Sequence, residues 1–174
     1  TGILAGLKTG CTWIDTTTNS PTVIHHLADV CTKMGIKMLD CPVSGRIPNM
    51  TMMVGGDPEV FEQHRSVLET MGKDVIYVGG TGSGCTAKLV TQYLGYSNFV
   101  AGVEGMIIGA KAGLDMDILA KLIPISASAS GVMARSLAVV LDGTFARNGT
   151  LANVAKELHL ACTIARSFIF SSFC

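Results

Sequence analysis

The sequence lacks an excess of either charge. Lysine and arginine total 13, aspartate and glutamate 13, and no run of like charge occurs. Residues 1–87 hold 6 basic and 8 acidic side chains and residues 88–174 hold 7 and 5, so neither half is a basic arm or an acidic tail. Nucleic acid is bound through phosphate neutralisation by clustered cations, and the balance argues against such a partner. No charge-free apolar run of 18 residues is present; the most apolar stretch, 89–110, contains Glu104 and is interrupted by glycines, so no membrane span is expected. Six cysteines (Cys11, Cys31, Cys41, Cys85, Cys162, Cys174) lack C-x-x-C or zinc-ligand spacing. They read as free thiols of a reducing, intracellular compartment, cytoplasm or mitochondrial matrix, with no metal site. His25-His26 cannot face one way on a helix, and His64 and His159 have no carboxylate pattern around them. Asn49 and Asn148 match the glycosylation sequon, a pattern common by chance. No signal peptide is visible, and the chain opens on Thr1, so its natural N-terminus reads as absent.

What is present is a core-forming chain of 174 residues, 48% hydrophobic with mean hydropathy +0.45. Its first 80 residues alternate strand and helix. "CTWID" (Cys11–Asp15), "IKMLD" (Ile36–Asp40), "TMMVGG" (Thr51–Gly56) and "DVIYVGG" (Asp74–Gly80) read as strands. Between them, Pro21 opens one helix that stops at Gly35. Asp57 caps a second, with Pro58 at its first position and Gly72 as its stop. After Gly84 the period changes. Thr86 to about Ala112 carries no turn signal, and Leu89, Tyr93, Tyr96, Val100, Val103 and Ile107 recur at helical spacing. Gly102, Gly105 and Gly109 weaken this helix in isolation and leave room for a neighbour to pack closely. Helices over Leu114–Ile123, Val132–Leu141 and Leu151 to about Ser167 follow. The fold class is therefore α/β followed by all-α, with a division into 1–84 and 85–174.

Gly82-Ser83-Gly84-Cys85-Thr86-Ala87 matches the G-x-G-x-x-G/A dinucleotide fingerprint and follows a strand. Its context is wrong. A dinucleotide site needs one short helix, a second strand, and an acidic residue at about 20 positions on. Here the helix is about twice too long, no strand follows, and Glu104 falls in mid-helix. The stretch instead brings Lys88 to the start of a long helix, where the dipole disfavours a cation. That placement points either to a task or to plain solvent exposure.

"DCPVSG" (Asp40–Gly45), "MMVGG" (Met52–Gly56), "GTGSGCTAKLV" (Gly80–Val90) and "LANVAKELHLA" (Leu151–Ala161) occur in one order. With "GILAGLKTGCTWIDTTTNSP" ahead of them, they resemble the β-hydroxyacid dehydrogenases over about residues 1–165. That family includes the 3-hydroxyisobutyrate dehydrogenases and the tartronate and glyoxylate/succinic-semialdehyde reductases. The resemblance implies the C-terminal part of a Rossmann-type cofactor domain, then a helical domain led by a long interdomain helix, like that of 6-phosphogluconate dehydrogenase. It implies NAD or NADP as cofactor, a small 2- or 3-hydroxy acid as substrate, and a homo-oligomer formed through the helical domain. It assigns Thr18 and Lys156 to the cofactor, Lys88 to acid/base catalysis, and Ser44, Gly45, Arg46 and Gln92 to the substrate.

The chemistry suits those residue types. Removing hydride from a carbinol carbon requires the hydroxyl proton to leave, and a lysine can relay it. The ordinary lysine value, about 10.4, is too high for that task at neutral pH. Burial, the helix start and a second cation, Lys156, are expected to lower it. Ser44 Oγ and nearby amides suit a substrate carboxylate.

Departures from the family pattern are specific. Arg46 replaces a second glycine in a shortened loop, where it either clamps a carboxylate or obstructs the loop. Gln92 stands where asparagine is usual, and Glu157 where aspartate is usual. The family's glycine fingerprint would lie upstream of Thr1, and the ending "ARSFIFSSFC" is apolar, an aggregation or interaction patch if exposed. The chain thus reads as truncated at both ends. The alternative function is a non-catalytic module of the same fold that oligomerises or binds a partner.

Overall fold

The computed structural model describes residues 2–143 and 150–167. The sequon at Asn148 and most of the apolar ending lie outside them. In chain order the elements are α1 (Ile3–Gly6), β1 (Thr12–Asp15), α2 (Pro21–Lys33), β2 (Lys37–Asp40), β3 (Val43–Ser44), β4 (Thr51–Gly56), α3 (Pro58–Met71), β5 (Asp74–Gly79), α4 (Ser83–Lys111), α5 (Met116–Leu122), a 3-10 turn (Ile123–Ile125), α6 (Gly131–Leu141) and α7 (Leu151–Ser167). They divide into two compact units, Thr1–Val90 with Glu157–Cys174, and Thr91–Lys156.

The first unit is a mixed sheet. β1 and β2 pair in parallel, and β4 and β5 pair in parallel with an irregularity between Val54 and Gly55. β2 and β3 both run antiparallel to β4, so residues 37–44 form one arm of a hairpin whose tip is 45–50. The short β3 falls where a loop was expected; two residues are too few to show periodicity. Side chains alternate across the sheet. Leu39, Cys41, Met52 and Val54 face α3, packing with Val60, Phe61 and Leu68. Ile36 and Met38 pack instead with Ile24 and Cys31 of α2 and Cys85 of α4. Each large apolar side chain removed from water here contributes about 1.5–3 kcal/mol.

Local chemistry sets the helix ends. The Asp57 carboxylate accepts the Glu59 N–H (2.7 Å) and the Val60 N–H (3.2 Å) at the start of α3. Ser20 Oγ accepts the Val23 N–H (3.2 Å) at the start of α2, where Pro21 has no amide hydrogen to satisfy. Gly35, at φ 65°, turns the chain out of α2 towards β2.

The second unit is helical. Met106, Met133 and Leu137 form its core, flanked by Met116, Leu119, Ala120 and Ile123. Of the three α4 glycines expected to admit a neighbour, two do so. A Cβ at Gly102 would meet the Met133 side chain, and one at Gly109 would meet Leu119, whereas Gly105 has nothing within 4 Å. The expected apolar stripe of α4 is only partly core: Leu89 is buried, but Val100 and Ile107 are half-exposed, and the buried Met106 lies outside the expected stripe. α4 is apolar on every side, so spacing alone does not select the buried face. α5 begins at Met116 rather than Leu114 because Asp115 takes the cap, its carboxylate accepting the Asp117 and Ile118 amides. Pro124 sits in the 3-10 turn that follows.

Cys11, Cys31, Cys41 and Cys85 are free thiols. Cys162 is disulfide-bonded, which departs from the expectation of free thiols throughout. No described helix is long and apolar enough to cross a membrane, and the described residues hold no cluster of three metal-ligating side chains.

Candidate active site

A single row crosses the sheet of the first unit. Asp15 pairs with Asp40, Asp40 with Gly55, and Gly55 with Gly79. β1 and β2, parallel neighbours, both end on this row, and β5 ends there before the turn into α4. Open α/β sheets bind ligands beyond the carboxyl ends of parallel strands. The segments leaving the row carry Thr18, Ser44 and Lys88.

Thr18 follows β1 and is half-buried. Its loop is fixed from both sides. The Asp15 carboxylate accepts the Thr17 N–H (3.2 Å) and the Thr17 hydroxyl (2.9 Å). The Cys85 thiol donates to the Thr17 carbonyl (3.6 Å) and accepts the Asn19 N–H. Burial pushes that thiol up to about 11, with Asp40 and Asp15 adding to the rise, so it acts as a neutral donor and not as a nucleophile. Nothing in the sequence singled out Cys85 for this role.

Ser44 lies in β3 opposite Thr51 and is half-buried. Gly45 follows at φ 85°, where a Cβ would meet the Asn49 carbonyl oxygen at 2.8 Å, so only glycine fits the turn. Arg46 is exposed at the hairpin tip.

Lys88 is the decisive observation. It is 7% exposed, which removes the surface-lysine alternative. α4 begins at Ser83 rather than Thr86, so Lys88 stands in the second turn, one turn after Gly84. Burial lowers its pKa from the ordinary lysine range, and the Glu157 carboxylate opposes that shift. A cation was expected to assist the lowering; the charged neighbour that acts is instead an acid. Glu157, which stands where the family usually has aspartate, is itself buried at 9% exposure. Only the packing of α7 singles it out: Glu157 is buried on that helix and the adjacent Lys156 is exposed. Gln92, a turn beyond Lys88 on α4, donates its amide hydrogen to the Tyr96 hydroxyl (2.7 Å).

The glycine turn has another occupant than a pyrophosphate. Asp40, 1% exposed, accepts the Gly82 N–H on Oδ1 and the Cys85 N–H on Oδ2, each at 2.8 Å. Those are amides that a phosphate at this helix start would need. The rest of the fingerprint context is missing too, since α4 runs for 29 residues and leads to α5, not to a strand.

Comparison with known proteins gives the same outline. A family model for the NAD binding domain of 6-phosphogluconate dehydrogenase matches residues 1–79. A second, for the NAD-binding region of NADP-dependent 3-hydroxyisobutyrate dehydrogenase, matches residues 82–173. Mouse mitochondrial 3-hydroxyisobutyrate dehydrogenase is 38% identical over 130 residues, 72% of this chain and 39% of that protein. The 2-(hydroxymethyl)glutarate dehydrogenase of Eubacterium barkeri is 32% identical over 166 residues, 92% of this chain and 55% of that protein. Among solved structures, 3-hydroxyisobutyrate dehydrogenase from Salmonella typhimurium superposes with a TM-score of 0.84 at 26% identity, covering 94% of this chain and 60% of that one. The complex of Psf3 with NADP+ and 2-OPP gives 0.83 at 27% identity, covering 93% and 59%. The chain thus spans about half the length of the relatives it matches. With the Rossmann-type α/β unit, the long helix and the ordered motifs they carry, these matches establish that the chain belongs to the β-hydroxyacid dehydrogenase family.

Proposed function

We propose that this chain forms part of an NAD(P)-dependent oxidoreductase that interconverts a small 2- or 3-hydroxy acid, of the 3-hydroxyisobutyrate type, and its carbonyl form, with Lys88 as the general acid/base. The observation that carries the reading is the burial of Lys88 beside a buried Glu157. Burying an ammonium is costly, and a structural role would be served by an apolar residue of similar volume. A lysine drawn down from its ordinary range can accept the hydroxyl proton in oxidation and return it in reduction. Glu157 limits how far the lowering goes and keeps the protonated form accessible.

The residues fit a nicotinamide cofactor at one end only. The half-buried Thr18 loop, held by Asp15 and Cys85 beyond the carboxyl end of β1, suits its nicotinamide end, and Lys156 is a second candidate contact. The glycine turn does not suit its pyrophosphate, because Asp40 uses the amides. The bound cofactor supplies the hydride acceptor. Both NAD and NADP are compatible with the matches, and the Psf3 complex holds NADP+. On the substrate side, the Ser44 hydroxyl and the Gly45 turn supply donors to the carboxylate, Arg46 a cation at the hairpin tip, and Gln92 an amide. In this scheme residues 1–84 serve the cofactor and 85–174 serve substrate binding and oligomerisation.

The test is titration with NADH and NADPH followed by Trp13 fluorescence. It is paired with oxidation of 3-hydroxyisobutyrate and glycerate, and reduction of the corresponding semialdehydes, in wild type and Lys88→Ala. The expected result is loss of turnover by about 10²–10⁴-fold in the variant with cofactor affinity kept. Undiminished turnover in Lys88→Ala overturns the assignment.

A second reading is favoured by one observation. Leu94, Val100, Ile107, Ile108, Leu114, Ile118 and Leu122, all in the helical unit, are at least half-exposed. Apolar exposure on that scale suits a self-association surface. If the wild-type chain binds neither cofactor yet sediments as a stable oligomer, it acts as an oligomerisation module of the same fold.

A further inference from the structure

We propose that Asp40 is a positioning residue: its carboxylate serves as the missing cap of α4, seats the first turn of that helix on the sheet, and thereby fixes Lys88. The inference rests on the reading of Lys88 as the proton-transfer group.

The start of α4 has no cap of its own. The capping position is Gly82, at φ 85°, and a Cβ there would lie 3.1 Å from His25 Nε2 and 3.4 Å from Pro21 Cβ. A serine, threonine or aspartate, the residues that normally cap a helix, is sterically disfavoured at that point. Asp40 supplies the function from across the sheet. Its Oδ2 takes the Cys85 N–H, the bond an N-cap side chain makes to the third helical residue, and its Oδ1 takes the Gly82 N–H.

The seat is close. A Cβ on Gly84 would run into the carbonyl oxygens of Asp40 and Met53, and one on Gly55 would stand 2.5 Å from Asp40 Oδ1. Both glycines are required for the approach. The carboxylate sits where neither glycine has room for a Cβ.

Lys88 follows Gly84 by one turn, on the same face of the helix, and is itself buried. A shift of the first turn therefore carries the ammonium with it. Asp40 also begins the segment Asp40-Cys41-Pro42-Val43-Ser44, so one side chain ties the strand that leads to Ser44 to the helix that bears Lys88. Burial raises the Asp40 pKa, and the backbone amides of Cys85, Gly82 and Gly84 oppose that rise; a carboxyl group at 1% exposure is expensive as a stability device alone. The charged groups around it are Asp15, which pairs with it in register, and the thiols of Cys41 and Cys85; Glu157 is the charge that acts on Lys88.

The experiment compares wild type, Asp40→Asn and Asp40→Ala, each as the full chain with lysines labelled with carbon-13 and nitrogen-15. Two quantities are read: amide hydrogen exchange from Gly82 to Lys88, and the titration midpoint of Lys88. Neither needs turnover, so a failure of the catalytic reading, seen as full activity in Lys88→Ala, is separable from a failure of this one. The expected result for Asp40→Ala is at least tenfold faster exchange at Gly82 and Cys85, with the Lys88 midpoint moving back towards that of free lysine. Asp40→Asn, which keeps one acceptor oxygen, should fall between. A folded variant with unchanged exchange and an unchanged Lys88 midpoint overturns the proposal. Should both variants fail to fold, the wild-type amides decide. Gly82 and Cys85 have no intrahelical acceptor, so protection there supports the cap, and exchange at unprotected rates overturns it.

Discussion

Replacing Gly84 with alanine sets sequence-level and structure-level reasoning against each other. By helix propensity alone, alanine inside a helix gains about 1 kcal/mol over glycine. The structure reverses the sign. The new methyl would collide with the carbonyl oxygens of Asp40 and Met53, and would stand 2.9 Å from Asp40 Oδ2. Two of those three obstacles are backbone atoms of packed strands and cannot rotate away. Overpacking of this kind costs about 1–3 kcal/mol. Displacing the carboxylate from the Cys85 amide forfeits a charge-assisted bond of about 1.5–3 kcal/mol. The balance is a net loss of about 1.5–5 kcal/mol after the propensity gain is subtracted. Gly105→Ala is the control, because a Cβ there meets nothing within 4 Å; it should stabilise by up to about 1 kcal/mol. Urea unfolding reads both. Trp13, the single tryptophan, lies in β1 and reports the first unit by fluorescence, while far-ultraviolet circular dichroism reports the helices. The Gly84→Ala midpoint should fall by on the order of 1 M in the Trp13 signal. A Gly84→Ala chain as stable as wild type would refute the close seat of α4 and the capping argument built on it.

Glu157→Gln should lower the Lys88 midpoint further, since the carboxylate opposes the effect of burial; a lysine-resolved titration that leaves Lys88 unmoved would remove Glu157 from the site. Burial pushes the Cys41 thiol up to about 12 and the Cys85 thiol up to about 11. The folded chain therefore keeps protons that the unfolded chain loses above about 8.5, and stability should fall as pH rises from there towards those values. Urea midpoints across that window should decline less steeply in Cys41→Ala/Cys85→Ala than in wild type. Asp57→Ala should destabilise by about 1 kcal/mol through loss of the α3 cap, read as a lower melting temperature. Arg46→Gly should raise KM for the hydroxy acid several-fold with kcat unchanged if the guanidinium clamps a carboxylate; a lower KM would mean that it obstructs the loop.

Much of the framework was legible because local chemistry dictates it. Ser20 with Pro21, and Asp57 with Pro58, declare helix starts in a few residues, and the alternation of Met38 and Leu39 or Met52 and Met53 declares strands with two covered faces. Lys88 could be picked out because a lysine near the start of a helix runs against the dipole. Its burial could not be, since the neighbours that exclude water come from distant segments. α4 gave its length but not its buried face, because a helix apolar all round carries no directional pattern. The fingerprint at Gly82 could be doubted on context, yet the reason its amides are taken lies 42 residues away, in Asp40. Glu157 stood beside Lys156 in the sequence, and only the packing of α7 selected the acid for the interior.

The sequence by itself thus determined the order of the main strands and helices, the caps and stops of α2 and α3, and the residue types able to move a proton or bind a carboxylate, since all of these depend on interactions within a few positions along the chain. The tertiary structure alone decided which of those residues are buried, which charge faces Lys88, and what fills the glycine turn. Those outcomes depend on the pairing register that sets Asp15, Asp40, Gly55 and Gly79 in one row, and no local pattern encodes the register between strands so far apart in the chain.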